Sequence, residues 1–235
     1  MLHELPLERR TLHGHFSRDL EPVLTIDSGD GIVLRALESG WHTEPGVFFE
    51  PRDPELDGGH ALVGPIQVRG ALEGQTLAVR VDRVLPGAWG ASPAGGFERV
   101  LQWELDPGLS LGRDDRGRSV ELQPFLGVLG MPPPEPGRHS TIPPRRWSGN
   151  IDCKELVRGS TLWLTFGFHD DLDAAAVIAT NGMIELMERE LGIDRSDGLG
   201  LASVVVDLRI TQVVNGAKGV HAVLRHDAIR PAQVV

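Results

Sequence analysis

The sequence predicts a mainly β protein with a sandwich-like or distorted-barrel body and one or two helices in its C-terminal third. Three observations carry that expectation. The 235 residues include 29 glycines and 17 prolines, a punctuation density that suits many short strands joined by tight turns. Period-two alternation recurs through the first two-thirds, as in LAVRVD at 77–82. A three- and four-residue apolar spacing appears once with strength, through Leu172, Ala175, Ala176, Ala179, Met183, Leu186 and Met187.

Taken in order, VLTI at 23–26 and IVLRAL at 32–37 flank DSGDG, the pattern of a hairpin or of an arch between sheets. In GPIQVRG, Ile66 and Val68 share a face. In the next strand Leu77, Val79 and Val81 alternate with Ala78, Arg80 and Asp82, as a half-buried strand requires. The stretch 89–117 is rich in Gly, Pro and Asp, and it reads as a long surface excursion. The prolines at 132–134 and 143–144 bracket an extended loop that leads to Asn150. STLWLTF at 160–166 is a strand candidate.

Beyond Gly167 the period changes. Asp170 or Asp171 supplies an N-cap, Asp173 favours the positive end of the helix dipole, and Gly192 is a stop. A weaker helix is expected at 196–205, against the preferences of Gly198 and Gly200. DLRITQVV and GVHAVLRH then close the chain as two strands around NGAKG. The expected organisation is a single domain over 1–235, with a helical insert at about 170–206.

Composition narrows the function. Lysine and arginine number 23 against 33 acidic residues, a net charge of −10 with no basic stripe. That argues against nucleic-acid or anionic-membrane partners. No apolar run approaches the roughly twenty residues that span a bilayer, and MLHELPLERR has no signal-peptide character. A cytoplasmic protein is expected. Cys153 is the single cysteine, so no internal disulfide or cysteine-rich zinc site forms.

The candidate chemistry is scattered. His13 and His15 lie two apart, so in an extended segment they face the same way, as metal ligands or as two exposed histidines. His60 opens HALVGPIQV, as a substrate contact at a strand mouth or as a turn cap. Asn150 and Asp152 occupy the proline-bracketed loop. Asp152 can hold a metal or take a proton from water, and Asn150 can donate to an oxyanion; an Asx turn is the plainer alternative. Cys153, Lys154 and Glu155 are the residue types of nitrilase-like amidases, but consecutive side chains diverge and cannot converge on one carbonyl. His169, Asp170 and Asp171 stand where a helix needs caps. No nucleophile elbow, phosphate loop, HExxH or dinucleotide fingerprint is present.

The order of segments adds to this. HFSRDLEPVLTIDSGD, GHALVGPIQVRGALEGQTLAVRV, PFLGVLGMPP, SGNIDCKELVRGSTLWL, FGFHDDLDAA and SVVVDLRITQVVNGAKGVHAVL together resemble the acetamidase/formamidase family, from about His15 to Leu224. The GHxLxGP and GNxDxKxLxxGSTL elements are the specific ones. The resemblance implies a β-sandwich-like body and hydrolysis of a short linear amide to carboxylate and ammonia. It implies roles for Asp152 as metal ligand or general base, for Asn150 as polariser, for His60 at the substrate and for His15 at a divalent metal ion of unknown identity. The family's GGNxD maps onto Ser148, Gly149, Asn150 and Asp152, with serine in place of the first glycine.

The chain departs from the family after Leu164. A run of the form Gly-Asp-x-His followed by Gln-Gly-Asp-Gly-Glu, which supplies further acidic and histidine groups, is missing there. Two readings follow. One is an amidase of reduced or lost activity acting on a small amide. The other is a non-catalytic relative that binds small molecules or serves as an oligomer partner. Loss of central strands would expose sheet edges, so either a second copy covers them, as a homo-oligomer, or the remaining strands close up directly. A cupin-like barrel is disfavoured because its paired histidine and glutamate pattern is missing.

Overall fold

The computed structural model describes residues 1–72, 75–94, 99–163, 167–214 and 216–229. Among them strands predominate, and the two helices, α1 (Leu172–Leu191) and α2 (Arg195–Val205), both lie in the C-terminal third. The mainly β expectation is met, with the body divided into short ladders rather than two continuous layers.

Strand Leu24–Ile26 pairs in parallel with Ile66–Val68, and Gly31–Leu34 pairs in parallel with Leu2–Leu5. The 23–37 stretch is therefore an arch, because its two strands belong to different sheets. The alternation at 77–82 is realised: Leu77, Val79 and Val81 turn inward while Ala78, Arg80 and Asp82 are exposed. Strand Ala78–Arg80 pairs antiparallel with Thr161–Trp163, whose Leu162 is buried. The remainder of the 160–166 strand candidate, residues 164–166, lies outside the described residues.

The 89–117 segment is not a surface excursion. It forms most of a four-stranded antiparallel meander, Trp89–Ala94, Arg99–Asp106, Leu111–Asp114 and Ser119–Glu121. Pro107 and Gly108, and Asp115 and Gly117, sit in two of its turns, which Asp106 and Asp114 brace. Asp106 accepts the Leu109 amide at 3.0 Å, and Asp114 accepts the amides of Arg116 at 3.1 Å and Arg118 at 2.7 Å.

The C-terminal third follows its local signals. Asp171 caps α1, accepting the Ala174 amide at 2.9 Å, and its own amide donates to His169 Nδ1 at 2.9 Å. Gly192 ends the helix in the left-handed region, φ 66°. Asp194 caps α2 through the Asp197 amide at 2.9 Å. Gly198 is tolerated in α2 because the space its missing Cβ leaves is taken by Ile184 of α1. Strands Val206–Gln212 and Lys218–Leu224 then pair antiparallel, and Gly167–His169 adds to the other side of Lys218–Leu224.

Three apolar clusters hold these parts. Ile151, Cys153, Leu156 and Leu162 pack with Phe125, Leu129 and Phe168. Ala175 and Ala179 of α1 meet Val220, and Ile184 and Met187 meet Ala202 of α2. The small residues of α1 let a strand come very close: a Cβ on Gly167 would lie 1.9 Å from the Ala175 carbonyl oxygen and 2.7 Å from the Ala179 nitrogen. Gly167→Ala is therefore expected to destabilise the chain by about 3 kcal/mol, the upper end for overpacking. Gly200→Ala, in an open stretch of α2, should instead stabilise it by about 0.5–1 kcal/mol. Urea midpoints of the two variants check both signs.

Candidate active site and a convergent donor group

The loop expected to carry chemistry is built on strand Ser148–Asn150, which pairs antiparallel with Val128–Gly130. Ser148, Asn150 and Ile151 are buried. The Asn150 side-chain amide donates to the Ile142 carbonyl at 2.9 Å, and the Asn150 carbonyl accepts Gln212 Nε2 at 3.0 Å. Asn150 is thus committed to the scaffold on both its side chain and its backbone.

Asp152 differs. It is exposed, its φ is +48°, and its amide donates to the Gly127 carbonyl at 3.0 Å. That left-handed turn sends the carboxylate back over Gly127, where Oδ1 would lie 3.2 Å from an added Cβ. Partial desolvation raises the Asp152 pKa above the usual carboxylate range, and the charge of His60 opposes that rise. The structure therefore brings Asp152 and His60 within electrostatic reach of each other.

His60 is held by Thr141, a fully buried residue whose hydroxyl takes the His60 amide at 2.8 Å and pairs with His60 Nδ1 at 2.9 Å. The preceding Gly59 carbonyl accepts the indole of buried Trp41 at 2.8 Å. The guanidinium groups of Arg9 and Arg52 lie 5.6 Å and 5.9 Å from the Trp41 ring. Arg9 also pairs with buried Asp57 at 2.8 Å.

His13 and His15 are fixed by carbonyls. His13 Nδ1 contacts the His15 carbonyl at 2.7 Å and His15 Nδ1 the Leu56 carbonyl at 3.1 Å. Their rings meet edge-on, 6.3 Å apart, and burial lowers the His13 pKa. Gly14 between them lets the backbone of 56–57 pass, since a Cβ there would lie 2.4 Å from Asp57 Cα. His15 lines a shallow pocket of about 200 Å³ with Glu55, Arg138 and His139. Neither His15 nor Asp152 joins any group of three convergent donors among the described residues. The described side chains around Asp152 do not make a metal cage.

One such group does exist, and it is elsewhere. Cys153 Sγ, Glu155 and His221 place donor atoms within 4.8 Å of one another and can hold a metal ion. Cys153 lies 3.6 Å from Glu155 Oε2, and His221 Nε2 lies 3.4 Å from the same oxygen. Burial pushes the Cys153 thiol up to about 12 and moves the His221 pKa down, toward the neutral imidazole. Burial is the largest influence and tends to raise Glu155, but Arg209, at 3.0 Å from Oε1, together with His221 and Cys153 holds the carboxyl below its ordinary range. The three residues line a cavity of about 390 Å³ whose other walls include Leu162, Trp163, Met183 and Leu224.

Cys153, Lys154 and Glu155 do not all converge, and Lys154 is exposed. Cys153 and Glu155 meet because the chain turns there, the Leu156 amide donating to the Cys153 carbonyl at 3.0 Å, which no strand alternation predicts. His221 joins them from a strand far along the chain, which no local pattern announces.

The fold and this loop define a class: the mainly β, acetamidase-like architecture. No protein-family model matches the chain, and no curated protein sequence matches it significantly. Among solved structures, the acetamidase from Bacillus halodurans superposes with a TM-score of 0.73 at 19% identity, covering 93% of this chain and 96% of that one. A recombinant predicted acetamidase/formamidase from Thermoanaerobacter tengcongensis gives 0.72 at 19% identity, over 95% of each chain. The acetamidase from Yersinia enterocolitica gives 0.69 at 17%, over 95% of this chain and 92% of that one. At these identities the likeness is one of fold.

Ser148 holds a φ of 73°, a left-handed conformation that glycine adopts more readily than serine. Its Oγ is buried with no hydrogen-bond partner among the described residues. Ser148→Gly removes both penalties at the entropic cost of a glycine, so a net gain of about 1 kcal/mol is expected. Thermal melts of the variant and the parent check it.

Proposed function

We propose that the chain is a member of the acetamidase/formamidase family, working as one unit over its length, and that it hydrolyses short linear amides at a reduced site. The observation that carries this reading is the Asp152 carboxylate, turned by a left-handed backbone over Gly127 and coupled in charge to His60, within an acetamidase-like fold. A carboxylate lifted from its ordinary range is a better proton acceptor. In this reading Asp152 takes a proton from water as the oxygen bonds to the amide carbonyl carbon. The C–N bond then breaks and the proton passes to the departing ammonia. His60, anchored by Thr141, orients the substrate, and Asn150 acts as a positioning residue through Ile142 and Gln212.

The reduced site follows from the missing acidic run after Leu164, so turnover is expected to be slow. The measurement is ammonia release from formamide and acetamide by purified chain. Asp152→Ala should lower kcat at least about a hundredfold, the low end for a general base. Release that Asp152→Ala leaves untouched would sink the assignment, and no release at all would favour the binding-protein reading.

A specific feature also favours self-association. Strand Val206–Gln212 pairs only with Lys218–Leu224 among the described residues, leaving its other edge open. Leu208 is 47% exposed and Ile210 59% exposed along it. The run Val-Asp-Leu-Arg-Ile is self-complementary. In an antiparallel pairing about a two-fold at Leu208, Asp207 meets the partner's Arg209 and Val206 meets the partner's Ile210. The second copy covers an edge that otherwise invites aggregation. Sedimentation should give a dimer at micromolar concentration that Leu208→Lys converts to monomer; a wild-type monomer overturns the pairing. No helix among the described residues is long and apolar enough to cross a membrane, and the cytoplasm is the compartment we assign.

A further inference from the structure

We propose that Cys153, Glu155 and His221 form a thiolate-containing zinc site, separate from Asp152 and His60, whose open coordination position faces the 390 Å³ cavity. The donor spacing is the first argument. With Zn–S near 2.3 Å and Zn–N or Zn–O near 2.0 Å, tetrahedral ligands stand about 3.5 Å apart for sulfur to oxygen and about 3.3 Å for nitrogen to oxygen. The chain sets Cys153 to Glu155 at 3.6 Å and His221 to Glu155 at 3.4 Å. These two pairs already stand at ligand distances, and the third, Cys153 to His221, lies within 4.8 Å.

The surroundings supply the second argument. His221 Nδ1 pairs with the Thr211 hydroxyl at 2.9 Å, which leaves Nε2 as the atom facing Glu155. Arg209 holds the far oxygen Oε1 of Glu155 at 3.0 Å, which fixes Oε2 toward the other two donors. Both supports come from the same strand, Val206–Gln212, and such partners orient a ligand set before metal arrives. The third argument is donor chemistry. One thiol, one imidazole and one carboxylate suit zinc or cobalt and not magnesium or calcium, which take oxygen alone.

Three protein ligands leave a fourth position, and because all three residues line the cavity, that position opens into it. This is the arrangement of zinc sites that hold a water or an exogenous ligand rather than of closed structural sites. The cavity walls beyond the trio are largely apolar, through Leu162, Trp163, Met183, Leu186 and Leu224. The ligand class that fits is a small molecule with one anionic or thiol group for the metal and an aliphatic or aromatic body for the pocket.

Because Cys153 is the single cysteine of the chain, a thiolate signal has one source. Chelator-treated protein titrated with Co²⁺ should develop a thiolate-to-cobalt charge-transfer band in the near ultraviolet at one ion per chain, and Zn²⁺ should quench it by displacement. In wild-type protein, Zn²⁺ should slow alkylation of Cys153 at least tenfold while Mg²⁺ leaves it unchanged, a reading that needs no variant to fold. Cys153→Ser should abolish the band, and His221→Gln should weaken Co²⁺ binding at least about tenfold. Asp152→Asn, which removes the carboxylate but tolerates the left-handed turn, should bind Co²⁺ as wild type does, which separates this site from the amidase reading. Absence of the band, or alkylation indifferent to Zn²⁺, overturns the proposal; so does Asp152→Asn losing the band.

Discussion

The hydrogen bond from Gln212 to the Asn150 carbonyl is the contact on which the functional part of the molecule depends. The Ser148–Asn150 strand is buried along its length, so each of its backbone polar groups needs a partner within the protein. Val128–Gly130 satisfies one side, and Gln212 reaches from the C-terminal sheet to satisfy the Asn150 carbonyl at 3.0 Å. Leaving that carbonyl bare would cost about 1–3 kcal/mol. The strand that ends in Gln212 is therefore pinned against the loop, and its other residues inherit their positions. Thr211 meets His221, and Arg209 meets Glu155. One buried carbonyl thus registers both the Asp152 turn and the donor group behind it.

What could be read from the sequence divides along a physical line. Signals that act within a few residues were legible: the alternation of Leu77, Val79 and Val81, the Asp171 cap, the Gly192 stop and the closing strands around NGAKG. The meander at 89–121 was misjudged because Asp, Pro and Gly serve equally as loop filler and as hairpin turns. What separates the two is whether the intervening residues find partners, and Trp103 and Leu105 find theirs across the sheet. The parallel pairings of 24–26 with 66–68 and of 2–5 with 31–34 leave no local trace, since nothing in either strand names the other.

The site was legible to the same extent. The segment order pointed to Asn150 and Asp152, and to His60, because their neighbours follow a pattern. It did not tell which would face outward. That was decided by φ at Asp152 and by the Ile142 carbonyl, which draws the Asn150 amide inward. The Cys153, Glu155 and His221 group requires a contact between a turn and a strand separated in the chain by both helices, so only the assembled chain displays it.

Backbone strain ties these points together. Ser148 and Asp152 both hold left-handed φ values that a side chain resists, within five residues that also include Gly149 at φ 111°. A loop shaped for stability alone would place glycine at each such turn. Glycine at 152 would remove the carboxylate, and a relaxed φ there would swing it off Gly127 and away from His60. Relaxation would also rotate Cys153, the next residue, out of the core cluster where it meets Glu155. The strained turn at Asp152 is what lets two adjacent residues serve different surroundings, one open to solvent beside His60 and one buried beside His221.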